Sequence, residues 1–172
     1  MNENDYLRFL KGMKDFNESK AESPSGGSAL GKQVEFVCYC LNQNHFHFLL
    51  KQVKNRGIEK FMHRLGTGYT MYFNRKYDRS GVLFQGSYKA IYVKNNSYFT
   101  WLSSYINGNS EIHKSFKASS YKWSSYLEYI DKSSNKFCNI RFILDQFKDI
   151  KEYSDFINLV IKESKSRKKE EA

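Results

Sequence analysis

The chain has 172 residues, enough for one domain with a sizeable core, and 28 Lys and Arg against 18 Asp and Glu give it a net charge of +10. The chain has three cysteines, an odd number without the spacing of a zinc finger. The sequence therefore predicts neither a disulfide framework nor a structural zinc site. No apolar run approaches membrane-spanning length and the first residues lack a signal-peptide pattern, so we expect a cytoplasmic protein with no membrane partner.

The positive charge is combined with many aromatic rings: 13 Tyr, 14 Phe and 2 Trp. Phosphates attract cations and unpaired bases stack on flat rings, so this balance is typical of a nucleic-acid binder. The alternative is that the charge merely keeps an aromatic-rich domain in solution.

In the first half of the chain, apolar residues at helical spacing predict helices over 5–17 and 57–76. Between them, the only proline and several glycines predict a flexible loop over 23–31. Strand formers on both sides of an Asn-Gln-Asn turn predict a hairpin with strands at 33–42 and 45–53.

The second half is expected to begin with two short strands, Val82–Phe84 and Tyr88–Val93. A helix over Tyr98–Ile106, with Asn96 or Ser97 as its cap, should follow. Further helices are predicted over 121–130, 139–149 and 152–164. Residues 165–172 are expected to form a disordered charged tail.

Two histidines lie two residues apart at the start of the second hairpin strand. Residues i and i+2 of a strand point to the same face, so His45 and His47 could together begin a site for a divalent metal ion. Two ordinary histidines are the alternative, because a bare His-x-His pattern is not specific.

Tyr105 and Asn109 are four residues apart, so one helix face can bring a phenol and an amide oxygen together to a metal. A tyrosine oxygen can attack a phosphate that the metal polarises, and it can leave again when the strand is resealed. Tyr105 could instead be a core residue of its helical stripe. Gly108 could also end the helix and leave Asn109 as a C-terminal cap.

These residues resemble those of the single-tyrosine HUH transposases, above all the REP-associated tyrosine transposases and their insertion-sequence relatives. The similarity extends roughly over residues 4–160, with its motifs in the family's order. It is carried by Asn44-His45-Phe46-His47-Phe48-Leu49-Leu50, by the stretch from Phe61 to Val93, by Ser104-Tyr105-Ile106-Asn107-Gly108-Asn109 and by Tyr121-Lys122-Trp123-Ser124-Ser125-Tyr126.

The resemblance implies an α+β fold with an antiparallel sheet of ferredoxin-like or RRM-like form and packed helices. It implies that Mg²⁺ or Mn²⁺ is held by His45, His47 and Asn109, and that Tyr105 forms a 5′-phosphotyrosine intermediate with single-stranded DNA folded into hairpins. Relatives act as monomers or homodimers, and either state is open here. We expect a catalytic domain over 1–130 and a helical extension over 131–164.

The chain also departs from the family pattern. The family's first strand is expected to be missing, Ser87 stands where arginine is usual, and Asn109-Ser110 replaces the usual Asn-Pro. A catalytically inactive binder of hairpin DNA is therefore the alternative function. An RNA-binding module of RRM type is a third interpretation, although its aromatic strand element is not present in the sequence.

Four cations are candidates for DNA phosphate contacts, and each has ordinary surface charge as its alternative. They are Lys60, Arg64, Lys89 and Lys94.

Overall fold

The computed structural model describes residues 2–20, 30–113, 115–134 and 136–170. Its helices and antiparallel strands confirm the α+β class. In chain order the described elements are α1 (Glu3–Asp15), β1 (Glu18–Lys20), β2 (Leu30–Lys32), β3 (Val34–Leu41), β4 (Phe46–Gln52), α2 (Gly57–Lys76), α3 (Asn96–Asn107), α4 (Asn109–Ile112), a 3₁₀ turn (Ala118–Ser120), α5 (Tyr126–Tyr129), α6 (Arg141–Leu144) and α7 (Ile150–Glu170).

The chain divides into two compact units. The first consists of Met1–Glu35 and Lys51–Ile91, and the second of Phe36–Leu50 and Tyr92–Ala172. The expected domain boundaries at residues 130 and 164 stay predictions.

Helices α1 and α2 form the core of the first unit, and both confirm the predicted helices. Phe9 of α1 meets Tyr69 of α2 edge to face, with ring centroids 4.7 Å apart, and both side chains are buried. Helix α1 begins in a capping box, in which the Asn2 side chain accepts from the Asp5 backbone and the Asp5 carboxylate accepts from the Asn2 backbone.

The buried carboxylate of Asp5 also connects α1 to the C-terminal end of α2. It accepts hydrogen bonds from Lys76 Nζ at 2.6 Å, from the Tyr77 hydroxyl at 2.7 Å and from the Tyr72 hydroxyl at 3.0 Å. Although burial alone would raise the pKa of Asp5, these donors lower it to about 2. The carboxylate is therefore ionised and fully hydrogen-bonded at neutral pH.

The predicted hairpin is confirmed: β3 and β4 are neighbours in one sheet, joined by a turn over residues 42–45. The backbone N–H of Asn42 donates to the carbonyl of His45 at 2.8 Å and closes the turn. A connection this short requires antiparallel strands. The loop predicted over 23–31 lies largely outside the described residues.

In the second unit, α7 packs against α3 and α4. The contact between α3 and α7 includes a buried polar network, in which the Asn107 amide donates to the Tyr153 hydroxyl at 2.9 Å and accepts from the Ser125 hydroxyl at 2.6 Å. Because every one of these groups has a partner inside the unit, the network fixes how α3 lies against α7.

The helices of the second half depart from their predicted bounds. Asn95 caps α3, one residue before the predicted candidates, because its side chain accepts from the Tyr98 backbone at 2.7 Å. The helices predicted over 121–130 and 139–149 are reduced to the single turns α5 and α6. Helix α7 is longer than expected and continues to Glu170, into the stretch predicted to be a disordered tail.

The two strands predicted within 82–93 are wrong, because the structure assigns no strand there. A strand requires pairing with a neighbouring backbone, and neither described sheet includes this stretch. Val82, Ile91 and Tyr92 are 85%, 79% and 82% exposed, whereas Phe84 is half-buried, with its ring centroid 6.5 Å from that of Tyr69.

Within the described part of the chain, no helix combines the length and the apolar character needed to cross a membrane.

Candidate active site

The two predicted histidines lie together at the turn end of the hairpin strand β4. His45 ends the turn and His47 is the second residue of β4, and their ring centroids are 5.0 Å apart. One intervening residue separates them along the chain, as strand alternation requires for side chains on one face. The sequence pattern thus placed this pair correctly.

Helix α3 brings Tyr105 to the histidines. The Tyr105 ring centroid is 6.4 Å from that of His47, and the tyrosine is only half-buried. Burial raises the pKa of Tyr105, and the neighbouring Asn109 amide works against that rise. The phenol is therefore protonated at neutral pH, and it is open to the cluster rather than enclosed in the core.

Asn109 is the first residue of α4 and is completely buried. It is not the cap of α3, because Gly108 occupies that position. Gly108 lets α3 and α4 pack directly on α7: a β-carbon there would lie 2.6 Å from Ile161 Cγ1. The glycine between Tyr105 and Asn109 thus allows both side chains to approach the hairpin.

Asn42 connects the histidine side of the cluster to the asparagine side, and sequence reasoning missed it. Its Nδ2 donates to Asn109 Oδ1 at 2.8 Å and lies 3.0 Å from His45 Nε2. On the other side of the His45 ring, Nδ1 lies 2.8 Å from Asn44 Oδ1. Because that oxygen can only accept, Nδ1 carries the proton and Nε2 accepts from Asn42.

His113 and Lys168 complete the cluster, and they too were missed. The His113 ring centroid is 5.7 Å from that of His45, and Lys168 Nζ lies 2.9 Å from His113 Nε2. The spacing of four residues between Asn109 and His113 was a signal that could have found the histidine. Lys168 offered none, because it lies in a run of alternating charges near the chain end.

All three imidazoles of the cluster are held in the neutral form. Burial, followed by the neighbouring imidazoles and Lys168, lowers the pKa of His47 to about 4. Burial and then Lys168 lower the pKa of His45 and of His113 as well. Neutral imidazole is the form that binds a metal ion.

The residues present fit a divalent cation in one specific respect. His45 Nε2 and Asn109 Oδ1 both direct electron pairs at the same NH₂ group of Asn42, so a positively polarised group already lies between them. Two imidazoles and an amide oxygen can serve Mn²⁺ or Mg²⁺ only with water ligands in addition. Among the described residues, no group of three His, Cys, Asp or Glu side chains could hold a metal ion.

The four predicted phosphate contacts are all exposed. Lys60, Arg64 and Lys89 belong to the first unit, whereas Lys94 belongs to the second, as does the cluster. Arg64 also has a structural contact, since its guanidinium donates to the Glu18 carbonyl at 3.4 Å and lies over the Phe16 ring.

Fold and site together define an α+β protein in which the β3–β4 hairpin and helices α3 and α4 bring imidazoles, amides and a phenol into one polar cluster. Residues 19–109, more than half of the chain, match the family model described as "Transposase IS200 like". The chain belongs to this family of transposases of mobile DNA elements, and the membership indicates DNA as its partner. No curated protein and no solved structure matches the chain.

Proposed function

We propose that this transposase binds single-stranded hairpin DNA, as a monomer or homodimer, and cleaves and rejoins it through a 5′-phosphotyrosine intermediate. Tyr105 is the nucleophile, and His45, His47 and Asn109 hold Mg²⁺ or Mn²⁺. The observation that carries the proposal is the convergence of four side chains from the hairpin and α3–α4, with Tyr105 beside His47 and Asn109 joined to His45 through Asn42.

The proposed reaction conserves the phosphodiester. Tyr105 Oη forms a bond to the scissile phosphorus as the bond to the 3′ oxygen breaks, and the 3′ oxygen leaves with a proton. A 3′ hydroxyl then attacks the phosphotyrosine, and the phenol departs readily because its pKa is about 10, well below that of an alcohol. When bound, the divalent ion supplies charge stabilisation for the phosphate oxygens.

The raised pKa of Tyr105 means that its proton must leave as the attack proceeds. The cationic end of the cluster gives the phosphate a partner: Lys168 supplies an ammonium group beside His113, 2.9 Å from that ring. Lys60, Arg64, Lys89 and Lys94 are proposed to contact phosphates elsewhere along the DNA.

A catalytically inactive binder of hairpin DNA is the second candidate. It is favoured by one observation, namely that Asn42 already satisfies both His45 Nε2 and Asn109 Oδ1. In that case the cluster would be a structural hydrogen-bond network, and binding would depend on charge and aromatic surface alone.

The test uses hairpin DNA labelled at its 3′ end, because a 5′-phosphotyrosine leaves the protein attached to the 3′ fragment. The full chain is incubated with Mg²⁺ or Mn²⁺, or with EDTA, and run on a denaturing gel. Tyr105→Phe removes only the attacking oxygen, and Tyr92→Phe, at an exposed tyrosine of the same unit, is the matched control. A metal-dependent adduct that Tyr105→Phe abolishes and Tyr92→Phe retains supports the proposal. Binding without any adduct supports the inactive binder.

A further inference from the structure

Three aromatic side chains form a ladder along one face of α3: Tyr98, Trp101 and Tyr105. Their spacing of three and then four residues brings them to the same side of the helix. The ring centroids of Tyr98 and Trp101 are 6.0 Å apart with planes inclined by 13°, and those of Trp101 and Tyr105 are 5.3 Å apart with planes inclined by 16°. The three rings are therefore nearly parallel.

The ladder is more exposed than the stack that Tyr129 and Tyr153 form in the same unit. Tyr129 and Tyr153 stack at 5.0 Å, but both are completely buried. Tyr98 is 38% exposed, and Trp101 and Tyr105 are half-buried. Partly exposed parallel rings offer flat faces on which a planar ligand can stack.

The ladder is one end of a continuous row of side chains. Tyr105 is followed by His47, then by His45, then by His113, with successive ring centroids 6.4, 5.0 and 5.7 Å apart. Lys168 ends the row as a cation. The row is thus aromatic at one end and positive at the other.

A single strand of nucleic acid has the matching chemistry, with flat bases and anionic phosphates. Charge around the ladder also suits a polyanion, because the first turn of α3 contains no acidic residue and the exposed Lys94 directly precedes its cap. Base–aromatic stacking is tolerant of sequence, since every base has a flat face.

We infer that Tyr98 and Trp101 form a stacking platform for the unpaired bases next to the phosphate that Tyr105 attacks. This inference rests on the proposed function, because it takes single-stranded DNA as the occupant. The platform fixes the position of the strand along α3, while Lys168 and His113 take the phosphate side.

Tryptophan fluorescence tests the platform directly, because the chain has two tryptophans and only one lies on the ladder. Trp123 is 9% exposed, with the Lys122 ammonium 4.9 Å from its ring. In the Trp123→Phe chain, a single-stranded oligonucleotide should quench the emission of Trp101. Inorganic polyphosphate and blunt duplex DNA, which present charge without unpaired bases, should not.

Abasic residues scanned through the oligonucleotide should abolish quenching at one or two positions. Equal quenching by polyphosphate, quenching by an acidic peptide, or an abasic scan without effect would overturn the inference. These readouts keep the native Trp101, so they do not depend on how well a ladder variant folds.

Affinity gives the second readout. Trp101→Leu should weaken oligonucleotide binding about 5- to 150-fold, the effect of losing one base–aromatic stack. The salt dependence of oligonucleotide binding should be the same for Trp101→Leu as for the original chain, because no phosphate contact is lost. Trp101→Phe should retain most of the affinity, and Phe99→Leu, a matched change on another face of α3, should leave it unaltered.

The two proposals fail in different ways. A Tyr105-dependent adduct formed without quenching of Trp101 overturns the platform and leaves the nicking chemistry standing. Quenching without an adduct retains the platform and refutes the chemistry.

Discussion

Asn42→Leu is expected to destabilise the protein, because Asn42 is the hydrogen-bond donor at the centre of the cluster. Leucine matches the branched shape of asparagine but has no polar atom. The change leaves Asn109 Oδ1, which is completely buried, without its 2.8 Å donor, and His45 Nε2 without its 3.0 Å partner. A buried acceptor that loses its donor costs about 1–3 kcal/mol.

His45 is exposed, so water can replace its lost partner and adds little to that cost. The expected loss is therefore about 2 kcal/mol in the free energy of unfolding. For a chain of this length it corresponds to a fall of roughly 4–8 °C in Tm. Gln43→Leu is the matched control, because Gln43 lies in the same turn but is exposed, and its effect should remain within about 0.5 kcal/mol.

Thermal and urea unfolding of the three proteins in EDTA measures the difference. Addition of Mn²⁺ gives a second comparison. If Asn42 occupies the position of a cation, Mn²⁺ should stabilise Asn42→Leu more than the original chain, because the electron pairs of His45 Nε2 and Asn109 Oδ1 no longer accept from Asn42. Equal stability of Asn42→Leu and Gln43→Leu would refute the bridging role of Asn42. Equal Mn²⁺ effects on the variant and the original chain would refute the link to metal binding.

Two further predictions concern one residue in each unit, Asp5 in the first and Gly108 in the second. The pKa of Asp5 is lowered from 3.8 to about 2, so its ionised form stabilises the folded state above pH 4 and this contribution is lost as the pH falls toward 2. Asp5→Asn should cost about 2 kcal/mol at pH 7 and almost nothing near pH 2 in urea unfolding, and a difference that does not shrink with pH would contradict the role of the charge. Gly108→Ala should cost about 1–3 kcal/mol, because its β-carbon meets Ile161 Cγ1 at 2.6 Å. In a double-mutant cycle with Ile161→Ala, the combined loss should be smaller than the sum of the single losses, and simple additivity would show that the contact is not the cause.

The sequence by itself determined the local elements whose signal is periodic. The stripes of α1 and α2 and the alternation of the hairpin depend on neighbours within a few residues, so the pattern predicted these elements, with bounds that differ from the observed ones by at most two residues. The histidine pair belongs to the same class, because strand geometry alone sets His45 and His47 on one face. The four-residue spacing of Tyr105 and Asn109 likewise indicated their proximity, although not the break at Gly108 between α3 and α4.

Whether residues 82–93 form strands could not be predicted from the local sequence alone. The segment has the composition of strands, but a strand exists only where another backbone completes its hydrogen bonds, and neither described sheet extends to this segment. The single turns α5 and α6 have a related cause, because short helices depend on tertiary packing more than on propensity.

Only the tertiary structure decided the composition of the cluster. Asn42 and Asn109 are separated by 67 residues, and His113 and Lys168 by 55, so no periodicity relates them. They meet because Gly108 permits α3 and α4 to pack against α7, which brings the last turns of that helix to the hairpin turn. Local physics selected the elements and the histidine pair, whereas long-range packing selected the side chains that surround the pair.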